Sequence, residues 1–175
     1  PKIRYYSQQR AYSELAILEK FSHYPQYFPV FSSCNRNFHI DGSHNNSRLW
    51  CCNCPKCRFV FLGLAAFIPK AQLLEIFQVN MLDDLSQTSG FEELLGIKGF
   101  KPFECVGTVD EVNAALHMYI AKHKHEKLPL LIDYYSNTTN FSQGDTVLAA
   151  KILDEFNNDH FLEPRFLEII KQKLK

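Results

Sequence analysis

The chain has 175 residues, of which 46% are hydrophobic and 14% aromatic, including fifteen Phe and eight Tyr. That is enough apolar material to bury one core, and it excludes a chain that is disordered throughout. Nineteen basic residues balance nineteen acidic ones, so no overall field draws the protein to nucleic acid or to an anionic membrane, and neither is expected as a partner.

Apolar positions at Ala11, Leu15, Ile17, Leu18 and Phe21, with Ser13 and Glu14 near the start, predict an amphipathic helix over 8–23. Pro25 and Pro29 break it, and Val30 to Cys34 has the character of a short extended segment. Residues 35–50, with Asn35, Asn37, Gly42, Asn45 and Asn46, are expected to be loop. The spacing from Pro55 to Phe67 is helical, Pro55 suits the first turn, and Pro69 stops this helix and opens the next, whose face is Leu73, Leu74, Ile76 and Phe77. Short helices are predicted around 90–96 and 109–122, the second opened by an Asp110-Glu111 pair that suits its dipole.

The run Leu128-Pro129-Leu130-Leu131-Ile132-Asp133-Tyr134-Tyr135 is expected to form a short strand, with 136–145 as loop. Helices over Thr146–Phe156 and Pro164–Leu174 finish the chain, the last ending in Lys171, Lys173 and Lys175. The expected fold class is mainly α with a short β element. The chain divides into a metal knot at 34–57 and a helical remainder at 58–175, as a single domain or as a C-terminal fragment. The longest apolar run, Phe59 to Ile68, is about half of what crosses a bilayer, and the first residues hold no apolar signal-peptide core. The cytoplasm is the expected compartment, where thiols stay reduced and clustered cysteines serve as metal ligands before disulfides. The opening on Pro1 rather than Met suggests a piece of something longer.

Cys51-x-x-Cys54-x-x-Cys57 follows Cys34 after a sixteen-residue loop. Two-residue spacers let neighbouring thiolates converge on one ion, and the long loop returns the fourth ligand. Four thiolates make a closed tetrahedral site, which points to structural zinc. Such a closure holds together a polar, Asn-rich stretch that has no core of its own. Cys57 lies early in a helix, where the dipole favours a thiolate. Cys52 falls off the spacing and is expected to be a spectator. Three cysteines at this spacing also hold iron–sulfur clusters, which leaves a rival to zinc.

Two segments resemble known families. Phe31-Ser32-Ser33-Cys34-Asn35-Arg36, followed by Trp50-Cys51-Cys52-Asn53-Cys54-Pro55-Lys56-Cys57-Arg58-Phe59, is similar to the cysteine region of pyrophosphatase-loop ATP enzymes, the deazaguanine synthases among them. Ser13-Glu14-Leu15, the Ser-Cys-Asn-Arg and Cys-Pro-Lys-Cys-Arg-Phe-Val-Phe segments, and Lys101-Pro102-Phe103-Glu104-Cys105-Val106-Gly107 look more like the bacterial muramoyl-dipeptide glutamate epimerases, from about residue 8 to about 122.

That second resemblance implies a peptidoglycan-precursor enzyme with an α/β pyrophosphatase-loop-type parent fold. Such an enzyme uses ATP and Mg to adenylate the terminal glutamate of a UDP-muramoyl dipeptide, inverts the α-carbon, and releases AMP and the D-glutamyl product. The chemistry is coherent, since a free carboxylate opposes a carbanion at the neighbouring carbon, and acyl adenylation removes that charge. The sequence departs from it by containing neither a Ser-Gly-Gly-x-Asp-Ser loop nor a G-x-x-x-x-G-K-[ST] loop. The nucleotide-binding portion is therefore expected upstream, and this piece alone is expected to be inactive.

Within the chain, Glu104 and Cys105 are candidates for moving the α-proton, although a free Cys is more often a small buried residue. Lys56, Arg58 and Arg36 beside the metal ligands are candidates for gripping phosphate or carboxylate, against a simple role as solvated charges. His117, His123 and His125 are expected to belong to a solvated helix end. His39 and His44 are loop residues that four cysteines make unnecessary as ligands. Trp50 is expected to pack on the knot, and the Asn-x-Ser/Thr triplets at Asn45, Asn137 and Asn140 carry little meaning in a cytoplasmic protein. The alternatives to the epimerase are a deazaguanine-synthase-like enzyme and a zinc-stabilised, non-enzymatic interaction module.

Overall fold

Residues 3–37, 48–138 and 146–172 are described in a computed structural model of the chain. The expectations for His39, His44, Asn45 and Asn140, and for Lys173 and Lys175, fall outside those residues. Eight α-helices follow in order: α1 Glu14–Ser22, α2 Pro55–Phe67, α3 Lys70–Phe77, α4 Thr88–Leu95, α5 Val109–Lys122, α6 Leu130–Thr138, α7 Thr146–Asp154 and α8 Pro164–Gln172. Short 3-10 turns lie at Pro25–Tyr27, Met81–Asp83 and Leu85–Gln87.

α2 is the axle. Every residue from Cys57 to Ala66 is buried, so the helix is apolar all round rather than along one stripe, as a core helix must be. α1, α3, α4 and α5 pack around it, and α7 closes on α5 and α1. Both ends of α2 are tied by side chains from elsewhere in the sequence or from the knot. At its start the Cys54 thiol accepts the backbone N–H of Cys57, with Pro55 in the first turn. At its end Lys122 of α5 donates to the carbonyls of Ile68 at 3.0 Å and Ala66 at 3.4 Å, which belong to its last turn. Burial against these carbonyls lowers the Lys122 pKa.

α1 begins at Glu14, later than the spacing suggests, because Ser13 caps it by accepting from Ala16 N. Its neighbouring donor, Leu15 N, is satisfied at 3.0 Å by Glu111, a carboxylate from the first turn of α5 that is only 5% exposed. Glu111 also accepts from Thr108 N at 2.5 Å and completes a capping box with Thr108. One buried carboxylate therefore closes the starts of two helices.

The expected short β element is not found: the described residues contain no strand, and 130–138 is helical. The pattern of burial explains the correction. Leu131, Ile132 and Tyr135 are buried while Leu130 and Tyr134 are exposed, a helical spacing in place of strand alternation. The first turn is held by Pro129 O, which accepts from Asp133 N, and by Asp83, whose carboxylate accepts from Leu130 N at 3.1 Å. Tyr135 donates its hydroxyl to Thr88 O at the start of α4, and its burial raises the phenol pKa. Among the described residues no helix is long and apolar enough to cross a membrane.

Candidate metal centre

Cys34, Cys51, Cys54 and Cys57 come together as the spacing predicts, all four sulfurs lying within 4.8 Å of one another. Cys51 Sγ is 3.7 Å and Cys54 Sγ 3.4 Å from Cys57 Sγ. Tetrahedral ligands at a zinc–sulfur distance of about 2.3 Å would stand about 3.8 Å apart, so the quartet fits a single ion with small adjustments. Three of the four ligands are buried, and among the described residues no histidine or carboxylate joins them, as in a closed site.

The backbone around the sulfurs is arranged for thiolates. Cys51 N points at Cys34 Sγ, Asn53 N at Cys51 Sγ and Cys57 N at Cys54 Sγ, each at 3.4 Å. Hydrogen bonds from the Cys57 thiol and its backbone N–H bring the Cys54 thiol down to about 4. Burial pushes Cys51 up to about 12, and donation to Cys54 together with burial raises Cys57 as well. Four thiols this close do not all ionise alone, and a bound cation removes the conflict.

Cys52 is the spectator the spacing implies. Its backbone sits at φ 53°, in the left-handed region, and this turn swings its thiol out of the quartet toward Phe77 O at 3.4 Å. The neck of the loop is tied by Ser32 to Leu49 O and by Asn37 to Arg48 O. Trp50 packs as expected, between Phe31 at 5.1 Å and Phe77 at 4.8 Å, and Phe31 in turn rests on Phe21 of α1. This aromatic row fastens the knot to the helices.

The other candidate residues divide into two groups. Lys56, Glu104 and Cys105 gather at the edge of the knot with Asn35. The Asn35 amide donates to Glu104 Oε2 at 2.7 Å, and Lys56 Nζ donates to the Cys105 carbonyl. Lys56 is also 3.9 Å from Glu14 of α1. Cys105 is exposed rather than a small buried residue, and Arg36 is exposed on the turn after Cys34. Beside Lys56 an open cleft of about 360 Å³ runs between α1 and α2, floored by Ile17, Phe21, Phe31 and Phe59.

Arg58 goes the other way. It is 9% exposed, with Nε donating to Gln87 Oε1 at 2.8 Å and Nη2 to Asn53 Oδ1 at 2.9 Å. It lies flat across α4 because position 90 is glycine, where a Cβ would stand 2.3 Å from the guanidinium carbon. Asn53 belongs to the turn between Cys51 and Cys54, so Arg58 braces the metal loop from inside. Its partner Gln87 lies 29 residues away, and no local signal in the sequence announces it. Glu111 was also missed as a two-helix cap, though Thr108-x-x-Glu111 is a recognisable capping box. In the Lys122–His125 run, His123 bonds to Glu126 at 3.0 Å and stacks on Tyr119, and the quartet is the one metal-ligand group found among the described residues.

A family model described as the MurL C-terminal domain matches residues 30–148, which include the whole quartet and the Glu104–Cys105 segment. A protein of Xanthomonas oryzae pv. oryzae named UDP-N-acetyl-alpha-D-muramoyl-L-alanyl-L-glutamate epimerase is 51% identical over 169 residues, covering 97% of this chain and 37% of its own length. Proteins of the same name from Micromonospora sp. and Salinispora tropica are 41% identical over 127 residues and 45% identical over 114. These cover 73% and 65% of this chain, but 28% and 24% of the relatives. The chain thus spans about a quarter to little more than a third of the curated relatives it matches. Their names favour the epimerase family over the deazaguanine-synthase and interaction-module alternatives. No solved structure matches the chain.

Proposed function

This chain belongs to the MurL C-terminal domain family, and from that premise we propose that it is the metal-containing C-terminal portion of an epimerase. The whole enzyme acts on UDP-N-acetylmuramoyl-L-alanyl-L-glutamate in the cytoplasm and converts its terminal L-Glu to D-Glu. The observation that carries this reading is 51% identity over 97% of the chain to a protein so named. ATP and Mg²⁺ belong to the preceding portion, which forms the acyl-adenylate that makes the α-proton removable.

The ion is structural zinc. Four sulfurs within 4.8 Å suit one tetrahedral ion, whereas a four-iron cluster puts each cysteine on a different iron and spreads the sulfurs further. Its task is to hold Cys34 and the Cys51–Cys57 turn against α1 and α2 and so to set the positions of their neighbours. Arg36, exposed on the turn after Cys34, and Lys56, at the edge of the knot, suit contact with substrate anions. Arg58 is committed to Asn53 and Gln87 and supports the loop. Glu104 and Cys105 stand at the same edge as the candidates for moving a proton at the glutamate α-carbon.

The test is a reaction of the full-length protein with the UDP-linked L-Ala-L-Glu dipeptide, ATP and Mg²⁺, followed by chiral analysis of the glutamate. D-Glu together with AMP is expected, and a product containing L-Glu alone overturns the reading. Elemental analysis of the same protein is expected to give one zinc per chain and a colourless solution; a brown, iron-containing protein overturns zinc.

A further inference from the structure

Two phenylalanines beside the knot stand in water. Phe100 is 94% exposed, Phe103 is wholly exposed, and Ile97 next to them is exposed as well. All three lie on the connection between α4 and α5. That connection is nonetheless held firmly at both ends. α4 stops at Gly96 in the left-handed conformation. At the other end Asn35 binds Glu104, Lys56 binds the Cys105 carbonyl, and Val106 is fully buried. Gly107 follows at φ 65°, where a Cβ would stand 2.7 Å from the Phe59 ring. The fold fixes the backbone that displays these rings, and among the described residues nothing covers the rings themselves. Exposed aromatic clusters of this kind, on a rigid support, are the usual anchors of an interface.

We propose that the 97–105 loop is the docking surface for the N-terminal portion of the same polypeptide, the part that the curated relatives carry outside the matched region. This rests on the reading of the chain as the C-terminal part of a longer enzyme. The chain covers only 37%, 28% and 24% of three relatives, so most of each lies elsewhere, and the matching family model is a C-terminal domain. A portion of that size shares one substrate with this domain only if the two meet beside the residues that handle it. The patch is continuous with Asn35, Lys56, Glu104 and Cys105, so docking here makes the edge of the knot one wall of the cleft between the portions. Lys98 and Lys101 flank the rings and call for an acidic rim on the opposing surface. Docking also covers the Cys105 thiol.

The test uses the full-length protein without substrate. Hydroxyl-radical footprinting read by mass spectrometry compares the native protein with the same protein unfolded in guanidinium. Phe100 and Phe103 are expected to oxidise at least about fivefold more slowly in the native protein, as residues in an interface core do. In a Phe100→Ser, Phe103→Ser double variant, alkylation of Cys105 by iodoacetamide is expected to quicken toward the unfolded rate while the metal content stays at one per chain. Oxidation of both rings at the unfolded rate in the native protein overturns the proposal. So does protection that vanishes when sedimentation shows dilution to a monomer, because the surface then belongs to a second copy. A protein that protects the loop but does not epimerise keeps the docking surface and loses the enzymatic reading; one that epimerises with both rings bare does the reverse.

Discussion

From Phe31 to Cys54 the described backbone holds no α-helix, while from Cys57 to Ala66 ten consecutive residues of α2 are buried. The two regions touch, yet they are stabilised by different means. α2 and its neighbours exclude water from apolar side chains, a non-directional effect spread over many residues. The knot is polar and Asn-rich in sequence, and its shape depends on four sulfurs meeting at one point. A core of the first kind loses stability gradually as side chains are trimmed. A centre of the second kind either binds its ion or does not.

The largest expected effect follows from this contrast. Cys57→Ser should abolish stoichiometric metal binding and cost more than about 4 kcal/mol, as loss of a structural ion does. Elemental analysis and thermal melts check it; a variant that kept its ion and its melting temperature would refute the assignment of ligands. Phe61→Ala, in a fully buried residue of α2 edge-on to Phe77 at 5.1 Å, should cost about 3–5 kcal/mol yet leave one ion per folded chain. Retention of metal in this variant, measured below its melting transition, separates the two regions.

Next comes the dependence of metal binding on pH. The ion binds thiolates, and Cys51, held up at about 12, and Cys57, also raised, keep their protons in the metal-free chain near neutrality. Cys54, lowered to about 4, is already ionised there. Binding therefore expels at least two protons, and protons compete with the metal. Lowering the pH by one unit near neutrality should weaken binding by at least about a hundredfold, or about 2.7 kcal/mol. Competition with a chelator at two pH values measures this, and an affinity that did not change with pH would contradict it.

Smaller effects probe the places where the regions join. Arg58→Met keeps the bulk of the side chain but leaves Gln87 and Asn53 without their donor, at a cost of about 2 kcal/mol. Because Asn53 lies in the ligand turn, chelators should strip the ion from this variant faster, whereas a variant disturbed in α4 alone would melt earlier with unchanged release. Glu111→Ala strands the N–H groups of Leu15 and Thr108 and should cost about 1–2 kcal/mol with metal release unaffected. Denaturant titration reads both changes.

How much the sequence reveals varies in the same way between the regions. The ligand set was legible because a Cys-x-x-Cys-x-x-Cys turn carries its geometry locally, with one further cysteine to find. α2 was legible because Pro55 and Pro69 punctuate it, and the bounds of α5 follow from its apolar spacing. The run from Leu128 to Tyr135 misled because Leu, Ile and Tyr fit a strand as well as a buried helix, and propensity over so few residues does not decide. Its choice was made at a distance, by Asp83 capping the first turn and by a pocket that takes Leu131, Ile132 and Tyr135.

The residues around the quartet show where local information ends. Arg58 looked like Lys56, a cation beside a ligand, but Gln87 and the space above Gly90 turned it inward. Glu104 came to the edge of the knot through Asn35, 69 positions earlier. The sequence by itself determined that four thiolates would converge, that α2 would be buried and that the chain belongs among proteins with the same cysteine pattern. Only the tertiary structure decided which charges face solvent, which brace the knot, and which aromatic rings are left without a place to pack. The reason is physical: ligand spacing and helix periodicity are written in neighbouring residues, whereas burial and long-range hydrogen bonds exist only once distant segments have met.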